Sequence, residues 1–273
     1  MKLKFKKTDK TGIILIIMLI IGLCLLLYPS AANFWNQRTQ SRAIESYEES
    51  LKEMSKEDYT KLFDAAKDYN KQLLKISNPL AHYDRVSGYN DLLNVNKSGV
   101  MGYITIDKIK VELPIYHGTS DKVLNVAVGH LQGSSLPIGG KGTHTVLTGH
   151  RGLPSATLFT DLNKLEHGDT FTITVLDQTI TYEVDQVRIV LPKEVDELQI
   201  DPDQDYCTLM TCTPYGINTH RMLVRGVRTS NLKNKPILYV TNDCDQINPL
   251  IVTPALAIPM LIVLLIVVFI RDN

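Results

Sequence analysis

The sequence predicts a mainly β protein, in which a closed β-barrel with short helices follows an N-terminal helical region and is flanked by two transmembrane helices. Two observations support this fold class. The middle of the chain contains many short runs of β-branched and apolar residues bounded by Gly, Pro and Asn, a pattern typical of a barrel. Near each end, an apolar run without charged residues is long enough to cross a bilayer.

The two apolar runs cover residues 12–28 and 249–270. Several lysines precede the first run, and positively charged flanks tend to stay in the cytoplasm. We therefore expect both chain ends inside the cell, and the part between the runs on the outer side of the cell membrane. The small residues Ser30, Ala31 and Ala32 leave a second interpretation open, in which the first run is a cleaved signal peptide and the second run alone anchors the protein.

Apolar residues recur every three or four positions from Ser41 to Ile76, which predicts amphipathic helices. The register breaks where Ser55-Lys56-Glu57-Asp58 has the form of a capping box, so we expect two helices that join there and pack on the following domain. The next stretch, Asn78 to Asn96, has no clear period and predicts a long surface loop, a kind of loop that is often functional.

The segments after the loop have the composition of strands, and we expect a mostly antiparallel sheet that closes on itself. A bulge is predicted near Asp185-Gln186, because the alternation of apolar residues changes parity there. A short helix is predicted near Ala156 to Leu165. The expected strands are Tyr103–Ile106, Val111–Ile115, Thr145–Thr148, Phe171–Leu176, Thr179–Val190, Thr208–Cys212 and Met222–Val227.

Charge and cysteine usage exclude several classes of function. Lys plus Arg and Asp plus Glu both number 29, so no global field recruits nucleic acid. Cys24 lies in the first apolar run, which leaves Cys207, Cys212 and Cys244 outside the predicted spans. Three is an odd number for a disulfide framework, so at least one thiol is expected to be free, although a disulfide between Cys207 and Cys244 remains open. The spacing predicts no zinc site.

Cys212 is the candidate nucleophile. It ends a predicted strand, and the turn that follows exposes its thiol at the sheet edge. A cysteine nucleophile needs a base and a donor for the oxyanion. Arg221 opens the next strand, which an antiparallel hairpin returns beside Cys212, and His150 ends an earlier strand among glycines. Arg225 shares the strand parity of Arg221, and the distance along the hairpin favours Arg221.

The same residues carry a resemblance to a known family. Thr208-Leu209-Met210-Thr211-Cys212 resembles the TLxTC signature of sortases, and Thr148-Gly149-His150 and Arg221 fall where that family has its other catalytic residues. The strings Leu113 to Gly118, Ser134 to Gly140, Thr148 to Pro154 and Thr211 to Gly226 resemble class C, the pilus-assembling sortases of Gram-positive bacteria.

The resemblance implies a thiol transpeptidase, with Cys212 attacking the Thr–Gly bond of an LPXTG-like sorting signal. The resulting thioacyl enzyme would pass its acyl group to a pilin lysine. His150 would be the general acid and base, and Arg221 would hold the substrate carbonyl or the oxyanion. Thr211 is expected to line the substrate cleft or to be an ordinary strand residue. No cofactor and no metal is implied. The implied partners are pilin or surface-protein substrates and the lipid bilayer.

One motif departs from the class. Class C sortases commonly carry an Asp-Pro-aromatic lid, whereas this loop has Asp84 followed by Arg85 and Val86. Either Asp84 is a degenerate lid residue or the anchor is absent altogether, and we expect a lid that is loose or differently anchored. Three other functions stay open: a sortase that anchors proteins to peptidoglycan, a hydrolase, and a non-catalytic membrane-bound scaffold.

These arguments divide the chain into seven segments. The expected segments are a cytoplasmic tail at 1–11, a transmembrane helix at 12–28, an extracellular helical region and lid-like loop at 29–98, the catalytic barrel at 99–230, a linker at 231–248, a transmembrane helix at 249–270 and a cytoplasmic tail at 271–273.

Overall fold

The computed structural model describes residues 10–231 and residue 258. The chain forms two units, one of Met1–Trp35 with Pro236–Asn273 and the other of Asn36–Lys235. The predicted span at 249–270 lies outside the described residues, apart from Ile258. The linker at 231–248 is likewise outside them, apart from Asn231.

The first helix, α1, covers Lys10–Lys52 and continues through Pro29. From Ile16 onward it is long and apolar enough to cross a membrane, and its first half leaves many Ile, Leu and Met side chains exposed. The second helix, α2, covers Lys56–Leu73. Ser55 caps α2 through the predicted capping box with Asp58, which confirms the joint between the two helices.

The helical region of the larger unit packs on a barrel. Tyr47 of α1 donates a hydrogen bond to the Met101 carbonyl at 2.9 Å and accepts one from the Leu176 backbone at 2.8 Å. Asn70 of α2 bonds both the carbonyl and the N–H of Leu136, at 3.2 and 2.7 Å. These contacts hold both helices against the barrel, as the periodicity predicted.

Eight strands form a closed barrel in the order β1-β2-β3-β4-β7-β8-β6-β5. The β2–β3 and β4–β7 pairs are parallel and the other pairs are antiparallel. A four-residue helix, α3, covers Asp121–Leu124. The strands are β1 Val100–Ile106, β2 Val111–His117, β3 Val128–His130, β4 Thr143–Thr148, β5 Thr170–Val175, β6 Gln178–Val190, β7 Asp205–Thr213 and β8 His220–Arg228.

The barrel confirms the predicted fold class and corrects two local expectations. The predicted bulge is present as a register shift between Val184 and Gln186. The short helix expected near Ala156 to Leu165 is wrong: the described structure has turns there and a single 3-10 turn at Leu162–Lys164. Its apolar residues are buried, but Leu158 has a φ of 39°, which an α-helix does not allow. Strand β3 was not predicted.

The loop from 78 to 96 is long but well packed. It contains two 3-10 turns, Tyr83–Arg85 and Tyr89–Asp91. Val86, Tyr89 and Leu93 are buried in the main hydrophobic core. The loop is therefore anchored at its C-terminal half.

Candidate active site

Cys212 lies on the outer face of the barrel, near the end of β7. Along this strand Cys207 and Leu209 are completely buried in the core, whereas Met210 and Cys212 are only partly buried. Successive side chains of a strand point to opposite faces, so Met210 and Cys212 share the outer face. Burial raises the pKa of the Cys207 thiol well above its usual range, which makes it an inert core residue.

Strand β8 brings Arg221 beside Cys212. In the antiparallel pairing of β7 with β8, Cys212 is directly opposite Arg221, and paired residues project from the same face. The Nη1 atom of Arg221 donates to the carbonyls of Asn218 and His220, at 3.3 and 3.1 Å. Its other two nitrogens have no acceptor among the described residues, so they are available to a substrate.

Strand β4 brings His150 to the other side of Cys212. In the parallel pairing of β4 with β7, Thr148 is opposite Met210, and the ladder continues with a bond of 3.1 Å from the Gly149 N–H to the Met210 carbonyl. Continuing this register by two residues places His150 next to Cys212. Neighbouring strands are about 4.8 Å apart. Cys212 is therefore flanked by Arg221 on β8 and by His150, which follows the end of β4 by two residues.

Thr211 fixes the backbone before the histidine. Its hydroxyl is buried and donates to the Gly149 carbonyl at 2.8 Å. Its side chain lies on the opposite face of β7 from Cys212. This contact supports a positioning role, and a direct contact of Thr211 with substrate stays a prediction.

The loop after His150 is held by contacts with the end of β7. The Phe159 N–H donates to the His150 carbonyl at 3.1 Å. Arg151 donates to the Thr213 hydroxyl at 3.4 Å and to the Asn163 side chain at 3.0 Å. Gly152 has a φ of 76° and lies against the exposed ring of Tyr215, where a Cβ would clash. The chain that follows His150 is thus tied to Thr213, the last residue of β7.

Arg225 is committed to other partners. Its Nε and Nη2 donate to the two carboxylate oxygens of Asp185, at 3.1 and 2.6 Å, and its guanidinium carbon is 4.2 Å from the centre of the Tyr206 ring. The Asp185 hydrogen bonds raise the pKa of Arg225. These contacts leave Arg221 as the arginine beside the thiol.

Arg225 also lines a cavity of about 330 Å³, with His144 and Tyr206 among the other residues. Tyr206 is six residues before Cys212, or about 20 Å along the strand. This cavity is therefore remote from the Cys212 thiol.

The outer face between Cys212 and this cavity is apolar. Val146, Leu198 and Leu223 form a buried cluster there, against which other hydrophobic side chains pack. One of these is Leu80, from the loop at 78–96, and the others are Leu131, Val190 and Met210. Leu80 was not singled out from the sequence, because nothing in its neighbourhood indicates which surface it touches.

Asp84 lies in the 3-10 turn Tyr83–Arg85, and its side chain is exposed. Among the described residues it makes no ion pair. The neighbouring Tyr83 packs near Gly133. A lid role for Asp84 stays a prediction.

Three other histidines, His117, His130 and His144, have structural contacts. Both ring nitrogens of His117 face backbone carbonyls, those of Gly99 and Leu92. Burial lowers the pKa of His130 to about 4, and burial also lowers the pKa of His144. His144 bonds the Gln199 carbonyl and the Thr208 hydroxyl, at 2.8 and 2.7 Å. The part of the chain that the structure describes contains no group of three or more His, Cys, Asp or Glu able to hold a metal ion.

Comparison with known proteins gives the same assignment at three levels. Residues 104–229 match the family model described as a sortase domain. The chain is 51% identical to sortase C1 of Streptococcus agalactiae, with a TM-score of 0.64, and the match covers 70% of this chain and 99% of that one.

It is 41% identical to sortase C of Streptococcus pneumoniae, a structure described as informative on catalysis and pilin substrate specificity; the TM-score is 0.63, over 70% of this chain and 97% of that one. Sortase D of Bacillus subtilis is 30% identical over 132 residues, which is 47% of this chain and 64% of that protein. The chain spans just under two thirds of this curated relative. With a sortase C structure covered almost completely at 51% identity, the chain belongs to the sortase family.

Proposed function

We propose that this protein is a membrane-anchored cysteine transpeptidase that cleaves an LPXTG-like sorting signal between Thr and Gly and joins the product to a lysine of the next pilin. The observation that carries the proposal is the strand register at one end of the outer face. Cys212 on β7 is paired with Arg221 on β8, and the β4–β7 register, continued two residues past Thr148, supports His150 as the neighbour on the other side.

The first half-reaction uses all three side chains. The Cys212 thiolate attacks the Thr carbonyl carbon, and Arg221 donates hydrogen bonds to the oxygen that becomes negative. The C–N bond to Gly then breaks, and His150 gives a proton to the leaving amine. The product is a thioester between the sorting signal and Cys212.

The second half-reaction reverses the proton transfer. A lysine amine of the acceptor pilin attacks the thioester, and His150 takes a proton from it. The Cys212 thiolate leaves, and an isopeptide bond remains. Arg221 again faces the developing oxyanion. No step requires a metal or an organic cofactor.

The apolar outer face supports binding of the acyl half of the substrate. This half must stay bound while the leaving peptide is replaced by an amine, so it needs a surface next to the thiol. The apolar cluster around Leu223 and Met210 extends from Cys212 in one direction along β7 and β8. The apolar part of a sorting signal fits such a surface.

The membrane anchor is part of the proposal. The apolar half of α1 supports an anchor at 12–28, and we propose the second span at 249–270 and the boundaries given from the sequence. With both ends inside, the barrel at 99–230 would face the cell exterior. There it would meet pilins that carry sorting signals at the same membrane.

The resemblance to class C and the similarity to two sortase C structures favour pilin polymerisation over anchoring to peptidoglycan. The two functions differ only in the amine that resolves the thioester. A scaffold without catalysis would have no need of the three side chains together.

The test uses the full chain in detergent micelles with a purified pilin that ends in LPXTG. We expect covalent ladders on a denaturing gel, Thr–lysine isopeptide bonds by mass spectrometry, and no ladder with Cys212→Ala. Cys207→Ala is the matched control, because this thiol is buried on the other face, and it should retain the ladders.

Three outcomes would contradict the polymerase. Cleavage without ladders, even at high pilin concentration, would indicate a hydrolase. Transfer only to a peptidoglycan stem-peptide amine would indicate a wall-anchoring enzyme. The absence of any Cys212-dependent product would favour the scaffold.

A further inference from the structure

Three buried side-chain atoms in the described part of the chain have no hydrogen-bond partner: the Tyr69 hydroxyl oxygen, Thr148 Oγ1 and Arg151 Nε. Two of the three belong to residues within two positions of His150. A buried polar atom without a partner costs free energy, and such atoms often mark a place that a ligand completes. Arg151 uses its other nitrogens, whereas the hydroxyl is the only polar group of the Thr148 side chain.

The orientation of Thr148 follows from the register. It is opposite Met210 in the parallel β4–β7 pair, and Met210 is opposite Leu223 in the β7–β8 pair. All three side chains therefore lie on the outer face, in the row next to that of Cys212. Leu147, the preceding residue, is completely buried in the core. The Thr148 hydroxyl thus belongs to the face on which the proposed substrate lies.

The neighbouring threonines make the contrast clear. Thr145 is on the inner face of the same strand, and its hydroxyl donates to the Ser135 carbonyl at 2.9 Å. Thr211 on β7 donates to the Gly149 carbonyl at 2.8 Å. Both hydroxyls are used by the fold. The Thr148 hydroxyl is buried but forms no hydrogen bond with the described part of the protein.

We propose that Thr148 is a substrate-binding residue, whose hydroxyl forms a hydrogen bond with the backbone of the sorting signal on the acyl side of the scissile bond. This inference rests on the proposed function. The row of Thr148 is two residues from that of Cys212, or about 6.6 Å along the strands. In an extended peptide this is the distance of two residues, which points to the peptide group between Pro and X of LPXTG.

The ligand group is thus a backbone amide, and the peptide group between Pro and X offers two ways to satisfy the hydroxyl. The hydroxyl either donates to the Pro carbonyl or accepts from the N–H of X. Either hydrogen bond would form in an apolar neighbourhood, where Met210 and Leu223 exclude water that would compete for the hydroxyl. Because a backbone group is recognised, the contact is insensitive to the identity of X.

The test compares Thr148→Val with Thr145→Val in the full chain, using a fluorogenic LPXTG peptide. Valine keeps the shape of threonine and removes the hydroxyl. For Thr148→Val we expect kcat/KM to fall about three- to tenfold, mainly through KM, while the thermal midpoint does not fall. Thr148→Ser should restore most of the activity. For Thr145→Val we expect the reverse, a lower thermal midpoint and an unchanged kcat/KM.

A second substrate distinguishes a lost hydrogen bond to the substrate from an effect of the substitution on folding. An ester in place of the amide between Pro and X removes the N–H and weakens the Pro carbonyl as an acceptor. With this substrate, the wild type and Thr148→Val should have the same kcat/KM.

The proposal would be overturned if the wild type and Thr148→Val had equal kcat/KM values on the amide peptide. So would a thermal midpoint of Thr148→Val that falls as far as that of Thr145→Val, since the hydroxyl would then have a partner in the free protein. An undiminished Thr148→Val effect on the ester would place the contact elsewhere and also overturn it. Failure of the proposed function itself is distinct, because the wild type would then give no Cys212-dependent cleavage.

Discussion

Arg221 and Arg225 project from the same face of β8, but their surroundings assign them to different tasks. Arg225 has a bidentate carboxylate partner and a tyrosine ring, whereas the hydrogen bonds of Arg221 within the described chain go to backbone carbonyls of its own turn. A guanidinium that is not paired with a carboxylate is available to interact with a substrate. A guanidinium bound by Asp185 stabilises the sheet next to the bulge in β6.

Substituting each arginine by lysine tests this division. Lysine keeps the charge but loses the forked donors. For Arg221→Lys we expect kcat/KM for the sorting peptide to fall about 100-fold or more, as for the loss of an oxyanion donor, with an unchanged thermal midpoint. Arg225→Lys should lower the thermal midpoint and leave kcat/KM close to that of the wild type. A similar loss of activity in both variants would contradict the assignment.

The residues of the site differ in how far they can be predicted from the sequence. Cys207 and Cys212 are five residues apart on one strand, and this opposite parity, which can be read from the sequence, separates a core thiol from an outer one. The pairing of Cys212 with Arg221 followed from a short hairpin. His150 follows a strand that pairs with β7 across 62 residues of chain, and only the family motif indicated this neighbour. The unpartnered hydroxyl of Thr148 is a property of packing, and no sequence pattern reports it.

The loop at 78–96 is the element with the most direct effect on access. Its second half is fixed by buried residues such as Tyr89, whose hydroxyl bonds His130. Its first half contributes Leu80 to the apolar cluster on the outer face. A peptide that lies along this face competes with Leu80 for the same surface. We therefore expect the loop to be a cover that a bound peptide displaces.

Shortening Leu80 tests this cover. For Leu80→Ala we expect kcat/KM for a free peptide to rise about five- to tenfold, because the closed form loses roughly 1 to 1.5 kcal/mol of packing. Leu74→Ala is the matched control: Leu74 is 42% exposed just after α2, and its removal should leave the kinetics unchanged. An unchanged or lower kcat/KM for Leu80→Ala would show that the loop does not limit access.

Most helices and strands were predictable from the sequence, but two kinds of element were not. Long strands with alternating β-branched residues, such as β6 with its bulge, were predictable. Strand β3 is three residues long and gives no periodic signal. Between Ala156 and Leu165 the spacing of apolar residues resembles that of a helix. The chain forms a series of turns there instead, and these turns bury the apolar side chains. Tertiary packing there outweighs local propensity.

On the scale of the whole molecule, two buried histidines, His130 and His144, make stability depend on pH. Burial lowers the pKa of His130 to about 4 and also lowers that of His144. In the unfolded chain both titrate near the usual value of about 6.5. The unfolded state therefore binds more protons below that pH. Stability from these groups is complete above about pH 6.5 and is lost as the pH falls toward the folded pKa.

Urea unfolding between pH 7.5 and 5 measures this pH dependence of stability. Most carboxylates titrate below this pH range and therefore contribute little to the change. We expect the free energy of unfolding to be level above pH 6.5 and to fall below it, with a slope of up to about 1.4 kcal/mol per pH unit for each histidine. His130→Gln should be less stable at pH 7.5 but should have a shallower slope. Parallel curves for the two proteins would exclude His130 as a source of the pH dependence.

The parallel pairing of β4 with β7 also governs when the protein becomes reactive. Contacts between residues distant in sequence are among the last to be gained in β-protein folding. Until β4 and β7 meet, the thiol of Cys212 has no base beside it, even if the β7–β8 hairpin has already formed. Under the proposed function, a molecule in which these two strands have not yet paired lacks the general base. Barrel closure is then the step that assembles the site.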